Sequence, residues 1–272
     1  MTAARLRLAS YNIHIGVGMD GRFHPERVAE VVREIGADVI ALQEVQLGEG
    51  TYDMLAHLTR DTGFSALAGP TLVHPTHGHY GNAVLSRLPI ARHRKLDLSV
   101  AGYEPRGALD ATIDCGGGVS VRILATHLGL RPTERREQVK RLLREVAAGA
   151  HRGPTVLLGD LNEWFLWGRP LRWLHAHFGR PRAPATFPAM RPMLALDRAW
   201  VMPRQCLVDI RPHRSALARR ASDHLPLVAT LDLAACRIGA SRTTPEPAQP
   251  ARDARDHHPL PACTIPPSTD TG

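Results

Sequence analysis

Hydrophobic and polar positions fall into short alternating runs and helical stripes that take turns along the chain. Residues 6–14 alternate and read as a strand ending with Asn12 and His14 on one side. After a Gly-rich turn, Pro25 suits a first helical position. Val28, Val31, Val32 and Ile35 follow at helical spacing, and Gly36 closes the helix. Residues 37–44 form a second strand, apolar until Gln43 and Glu44. A helix over 53–61 carries Met54, Leu55 and Leu58 on one face. Strands are expected over 81–86 and 96–100. Residues 106–113 and 119–127 form a hairpin around Gly116-Gly117-Gly118, which is a turn because no Lys-Ser/Thr follows it as a phosphate loop requires. A helix over 133–148 buries Val139, Leu142, Leu143 and Val146. The apolar run before Gly159-Asp160-Leu161-Asn162 is a buried strand, with room at Gly159 for a close approach to the backbone. A short helix with Leu171, Trp173, Leu174 and Phe178, strands over 195–201 and 205–210, and a last strand after Asp223-His224 complete the pattern.

This alternation predicts an α/β domain over 1–235. Beyond it, residues 236–272 are rich in Pro, Thr and Arg with little apolar content, and are expected to be a disordered tail. No apolar stretch is long enough to span a membrane, and the N-terminus has charges inside its apolar part, unlike a signal peptide. Cys115, Cys206, Cys236 and Cys263 are scattered without paired spacing, so neither a disulfide framework nor a zinc knuckle is expected. A reducing cytoplasm is the default compartment, and a monomer the expected state. The formal charge of +8 favours polyanionic partners. Lys95 and Lys140 are the only lysines, a bias that a GC-rich genome also produces, so the charge alone selects no substrate.

What changes the picture is that polar groups repeatedly land at strand ends: Asn12, Glu44, His127, and Asp160 with Asn162. Glu44 is a hard oxygen ligand suited to Mg²⁺, Asp160 can orient or activate water, and Asn12 and Asn162 can donate to phosphate oxygens. His127 and His224 can each donate to phosphate, and Asp197 or Asp223 can fix a histidine's tautomer. Each residue alone could merely cap or turn a strand. Elsewhere, His74-Pro75-Thr76-His77-Gly78-His79 is read as a solvated loop with no periodic element beneath it. Arg131, Arg135, Arg136, Arg141 and Arg144 are read as a solvated helix face, and Trp164, Trp167 and Trp173 as core packing ahead of base stacking or lipid insertion.

In order, Tyr11-Asn12-Ile13-His14, Leu42-Gln43-Glu44-Val45, Thr126-His127, Gly159-Asp160-Leu161-Asn162, Leu196-Asp197-Arg198 and Ser222-Asp223-His224 resemble the endonuclease/exonuclease/phosphatase superfamily of DNase I-like enzymes. The resemblance covers about residues 5–232. It implies a two-sheet β-sandwich flanked by helices and a Mg²⁺- or Mn²⁺-dependent phosphoester hydrolase. Carried over, it makes Glu44 the metal ligand, with Asp223 and Asn12 near the metal. Asn12, His127, Asp160, Asn162, Asp197 and His224 become the catalytic set, with Asn82, Arg106 and Arg131 as substrate contacts. Either Asp160 or His224 could take the proton. His14 stands where apurinic endonucleases carry an acid, which weakens a DNA-repair assignment. Nucleic acid, held by the arginines of 211–220, a phospholipid or sphingolipid, and non-catalytic phosphate binding all remain open.

Overall fold

In the computed structural model, residues 5–48, 52–74, 78–149, 151 and 153–240 are described. In chain order these form β1 (Arg5–Asn12), α1 (Pro25–Ile35), β2 (Val39–Leu47), α2 (Met54–Thr62), β3 (Ser65–His74), β4 (Gly78–Ser86) and β5 (Ile90–Asp97). Next come β6 (Gly107–Asp114), β7 (Ser120–His127), α3 (Pro132–Ala148), β8 (Thr155–Asp160), α4 (Arg169–Phe178) and β9 (Asp197–Met202). The chain continues through β10 (Leu207–Pro212), α5 (Ala218–Ala221), β11 (Leu227–Asp232) and α6 (Leu233–Ala240). Local chemistry sets several boundaries. Pro25 opens α1 and Gly36 ends it in a left-handed conformation, while the Asp53 carboxylate accepts from Ala56 N–H at 2.9 Å and caps α2.

The strands make a six-stranded sheet, β10-β11-β1-β2-β4-β3, and a five-stranded sheet, β5-β6-β7-β8-β9. Leu6, Leu8, Val39 and Leu231 of the first sheet share one apolar cluster with Ala111, Ile123, Val156 and Val201 of the second, so the sheets pack face to face. The outer face of the first is covered by α1 and α2 through Val28, Val31, Ile35, Met54 and Leu58. That of the second is covered by α3 and α4 through Val139, Leu142, Leu171 and Leu174. Burying each such Leu, Ile or Val stabilises the fold by roughly 1.5–3 kcal/mol relative to exposure. The fold is the expected α/β one, two sheets between layers of helix.

Several details depart from the sequence reading. The strand expected over 96–100 is Ile90–Asp97, an edge strand whose mostly exposed side chains hide the alternation. At an edge of the six-stranded sheet, β3 was not foreseen, because Gly69 and Pro70 interrupt it. Strand β2 does not stop at Glu44 but bulges there and runs on to Leu47. His74 ends β3 and His79 lies in β4, so strands flank the histidine-rich stretch, and residues 75–77 lie outside the described residues. Cys206 and Cys236 are joined as a disulfide, against the expectation of none. Folding brings their Cα atoms to 5.0 Å across a separation of 30 residues that showed no pairing pattern. Helix α6 runs from Leu233 to Ala240, across the boundary expected at 235. Residues 241–272, the rest of the expected tail, lie outside the described residues. Among the described residues no helix is long and apolar enough to cross a membrane.

Candidate active site

Strand pairing brings the polar ends together. In the first sheet β1 and β2 run parallel, and in the second β7 and β8 do, joined by the helical crossovers α1 and α3. The two sheets repeat one pattern, a parallel pair flanked by antiparallel strands. The C-terminal ends of a parallel pair are where an open α/β sheet forms a crevice. Here they deliver Asn12 and Glu44 from one sheet and His127 and Asp160 from the other. The antiparallel neighbours enter at the same rim, with Asp197 opposite Asp160 in register and Ser222-Asp223-His224 leading into β11 beside β1. The result is a cleft of about 330 Å³ lined by Glu44, Arg106, His127, Asp160, Asn162 and His224, among others.

Asp160 lies at its centre, almost wholly buried. Its Oδ1 accepts from Asn162 N–H at 2.9 Å. Around Oδ2 stand three potential donors: Asn12 Nδ2 at 3.2 Å, His127 Nε2 at 3.6 Å and His224 Nε2 at 3.7 Å. The histidine separations exceed ordinary hydrogen bonds. Asn12 Nδ2 also donates to Glu44 Oε1 at 2.8 Å, so one amide ties carboxylates from both sheets together. Burial raises the Asp160 pKa to about 6, opposed by His224 and reinforced by Asp197.

His224 Nδ1 meets Asp197 Oδ2 at 2.8 Å, and the Thr186 hydroxyl donates to that same oxygen at 2.6 Å. Burial alone would depress the imidazole, but Asp197 and Asp160 outweigh it and hold the pKa up at about 10. His224 is therefore cationic at neutral pH and has no lone pair to offer as a base. His127 behaves oppositely, since burial, then the charge of Arg106, push it well below its ordinary value. Arg106 Nη1 lies 3.0 Å from His127 Nδ1, and a guanidinium can only donate, so Nδ1 accepts and the neutral ring carries its proton on Nε2. Nε2 is 3.0 Å from Asn162 Nδ2, whose orientation is set by donation to Leu128 O at 2.9 Å.

Backbone strain concentrates here. His14 (φ 46°), Ile15 (φ 54°), Glu44 (φ 57°) and Asn162 (φ 51°) are the non-glycine residues with left-handed φ among the described residues. Side chains other than glycine pay for that conformation, and such outliers cluster where geometry serves function. At Glu44 the strain accompanies the β2 bulge, which turns the carboxylate into the cleft, and Tyr80 hydrogen-bonds to it. Burial, then Glu44, drives the Tyr80 phenol far above its ordinary pKa. Glu44, Asp160 and the half-buried Asp223 all line the cleft, an oxygen-donor set that fits Mg²⁺ or Mn²⁺. The buried Asp160 carboxylate, resisting ionisation, is the kind of group a nearby cation relieves. Asp160, Asp197 and His224 make a tighter cluster, their nearest ligand atoms within 4.8 Å. Yet the imidazolium is hydrogen-bonded to Asp197 and lies between the two carboxylates, so that cluster suits proton handling better than coordination.

Not every predicted contact reaches the cleft. The Asn82 amide donates to Gly107 O at 3.0 Å, stitching β4 to β6, and Asn82 does not line the cleft. Arg131 is exposed at the start of α3 and likewise stays outside its lining. Arg135, expected on a solvated face, is buried against Glu163 and holds Gly129 O and Leu130 O. Trp164 and Trp167 are exposed rather than core, whereas Trp173 is partly buried against α3. Tyr80, Thr186 and Phe187 join the site without a sequence signal, because their spacing from the other residues carries no pattern. Ser222 did stand in the Ser-Asp-His motif. Its hydroxyl donates to Asn12 O at 2.7 Å and locks β1 to the last loop.

What approaches Gly159 is the Thr126 carbonyl of the neighbouring strand, not a ligand. A Cβ at Gly159 (φ 151°) would collide with it. Gly159→Ala is expected to cost about 3 kcal/mol, lowering Tm by roughly 10 °C. It would also displace Asp160 and His127, the residues that follow the two clashing positions. A thermal melt that matches the parent's would show that the strands part without cost.

Residues 9–224 match the Endonuclease/Exonuclease/phosphatase family. The uncharacterized protein YbhP of Escherichia coli (strain K12) is 32% identical over 249 residues, covering 84% of this chain and 96% of that one. An endonuclease/exonuclease/phosphatase from Beutenbergia cavernae DSM 12333 superposes with a TM-score of 0.70 at 26% identity, over 85% of this chain and 72% of the other. The mannosyl-6-phosphatase of Bacteroides thetaiotaomicron VPI-5482 shares the fold, with a TM-score of 0.66 at 18% identity over 82% of this chain and 98% of that one.

Proposed function

Because the chain belongs to the endonuclease/exonuclease/phosphatase family, we propose that it is a divalent-metal-dependent phosphodiesterase in which water attacks phosphorus in line. The observation that carries this reading is the ring of Asn12, His127 and His224 around one buried Asp160 oxygen. A phosphate entering the cleft takes over those donors, leaving Asp160 to accept from the attacking water. Oxygen of water bonds to phosphorus as one of its protons passes to Asp160 and the bond to the departing oxygen breaks; the other hydrogen stays on the new phosphate oxygen, the departing oxygen takes a proton from solvent, and Asp160 returns its proton to solvent. The products are a phosphomonoester and an alcohol.

Asp160 serves as the proton acceptor in this scheme, because the imidazolium of His224 cannot. His224, oriented by Asp197, and neutral His127 donate to phosphoryl oxygens as negative charge grows there. Asn12 and Asn162 add amide donors from either sheet. Glu44, with Asp223 and Asn12 alongside, would hold Mg²⁺ or Mn²⁺, which when bound would supply Lewis-acid stabilisation of the phosphoryl charge. Glu44, Glu104, Asp160 and Asp223 face only Arg106 and cationic His224 within the lining, so a singly charged diester meets less repulsion than a doubly charged monoester. The 211–220 arginines do not line the cleft, and Arg219 instead holds Met190 O, so that loop offers no direct grip on nucleic acid phosphates at the reacting centre.

Hydrolysis of bis(p-nitrophenyl) phosphate with Mg²⁺ or Mn²⁺ tests the reading, with His224→Ala expected to reduce turnover about 100-fold or more. Only background hydrolysis, equal in both proteins and indifferent to metal, would point to phosphate binding without catalysis. The pH profile separates the roles further. The rate should rise as Asp160 loses its proton, below pH 6 once a cation is bound beside it, and fall as His224 loses its own near pH 10. Asp197→Asn removes a charge that holds His224 up, so its alkaline limb should move toward neutral pH. An unmoved limb would contradict the pairing.

A further inference from the structure

Along the lip of the cleft the chain leaves large apolar side chains in water. The loop after β8 exposes Trp164, Phe165, Leu166 and Trp167, the last at 73%. Leu130 is 63% exposed and Met193 76%, with Met190 also exposed. These belong to one rim. Leu130, Trp164 and Phe187 line the cleft itself, and the Trp164 and Phe187 rings lie 6.1 Å apart. Arg135 binds both Leu130 O and Glu163, fixing the first two loops to each other. Met193 N–H donates to Phe187 O at 2.9 Å, anchoring the third. A contiguous exposed apolar surface at a site marks an interaction surface.

Its charge pattern narrows the partner. Each apolar segment adjoins an exposed arginine, namely Arg131 after Leu130, Arg169 after Trp167, and Arg191 between Met190 and Met193. No acidic residue occurs in 128–133, 164–172 or 187–194. Tryptophan favours the boundary between water and hydrocarbon, aliphatic groups enter it, and arginine pairs with anionic head groups. Single-stranded nucleic acid would stack on the Trp and Phe rings but has no use for Leu130, Leu166 and Met193. We infer that this rim docks on an anionic lipid surface and presents the cleft with a lipid phosphodiester. The substrate class rests on the phosphodiesterase reading; the docking does not. Water then adds across the phosphorus–oxygen bond of the lipid linkage as above, releasing one phosphomonoester and one alcohol.

The test uses the full chain and a Leu166→Ala/Trp167→Ala/Met193→Ala variant, whose positions lie outside the cleft lining. Both are sedimented with vesicles of phosphatidylcholine alone and of phosphatidylcholine mixed with phosphatidylglycerol, and both are assayed on bis(p-nitrophenyl) phosphate. The parent should pellet with the mixed vesicles and release product from their lipids. The variant should bind them roughly ten-fold or more weakly and cleave their lipids correspondingly slowly. Turnover of the soluble diester should be unchanged. Failure of the parent to bind mixed vesicles, or equal binding by the variant, overturns the docking surface. Vesicle binding without lipid cleavage by a protein that turns over the soluble diester overturns the lipid substrate. A soluble diester and vesicle lipids both inert to the parent would instead count against the hydrolase reading.

Discussion

Asp160→Asn is expected to lower kcat on a phosphodiester by about 10²- to 10⁴-fold, the range in which a positioned proton acceptor contributes. The substitution is nearly isosteric. The amide oxygen can still accept from Asn162 N–H, so the loop geometry should survive. What it cannot do is take a proton from water. Stability should move the other way. The folded pKa of Asp160, about 6, lies above its ordinary value of 3.8, so its favourable contribution is complete below the unfolded pKa and is lost as pH rises through 6. At neutral pH without a cation the ionised carboxylate therefore burdens the fold, and the asparagine variant should melt at the same temperature or higher. A variant with near-parental kcat would remove Asp160 from the chemistry. One that fails to fold would show that its charge holds the strand ends together.

The second large effect concerns metal affinity. Glu44→Gln keeps an oxygen to accept from Asn12 Nδ2 and a polar partner for Tyr80, but removes a full negative charge from the cleft. Weakening an indirect metal contact commonly costs 10- to 100-fold in affinity, and a direct ligand should cost about 100-fold or more. Isothermal titration with Mn²⁺ measures this without reference to turnover. Activity should return in part at high metal concentration, because Asp160 and Asp223 remain in the cleft. Unchanged Mn²⁺ affinity would shift the metal to the Asp160, Asp197 and His224 group.

Much of this could be read from the chain because strand ends carry their polar residues in recognisable dipeptides and tripeptides. Asn12, Glu44, His127, Asp160 and His224 all reached one cleft. What the chain did not disclose was set by pairing at a distance. β3 and β5 are edge strands, so one tolerates Gly and Pro and the other points charges at water, which erases the period of two. Arg135 reads as a surface residue by spacing, yet it folds under α3 to meet Glu163, a partner 28 positions away. Asn82 carried a motif's polarity but serves the union of the two sheets. Trp164 and Trp167 were expected in core packing, whereas the site's lip is where they stand. Thr186 and Tyr80 gave no warning because each acts by touching a residue distant in sequence.

The place of β11 has a consequence for how the chain is made. This last strand lies between the edge strand β10 and β1, inside its sheet, and Ser222 just before it clasps Asn12, 210 positions earlier. A growing polypeptide emerging from the ribosome thus carries β1, with Asn12 at its end, for most of its synthesis without the strand and the Ser222 clasp that flank it. The first strand waits with one edge bare until nearly the whole domain has been translated. Catalytic competence is therefore deferred to the final stage of synthesis, and chains released early should be inert toward phosphoesters.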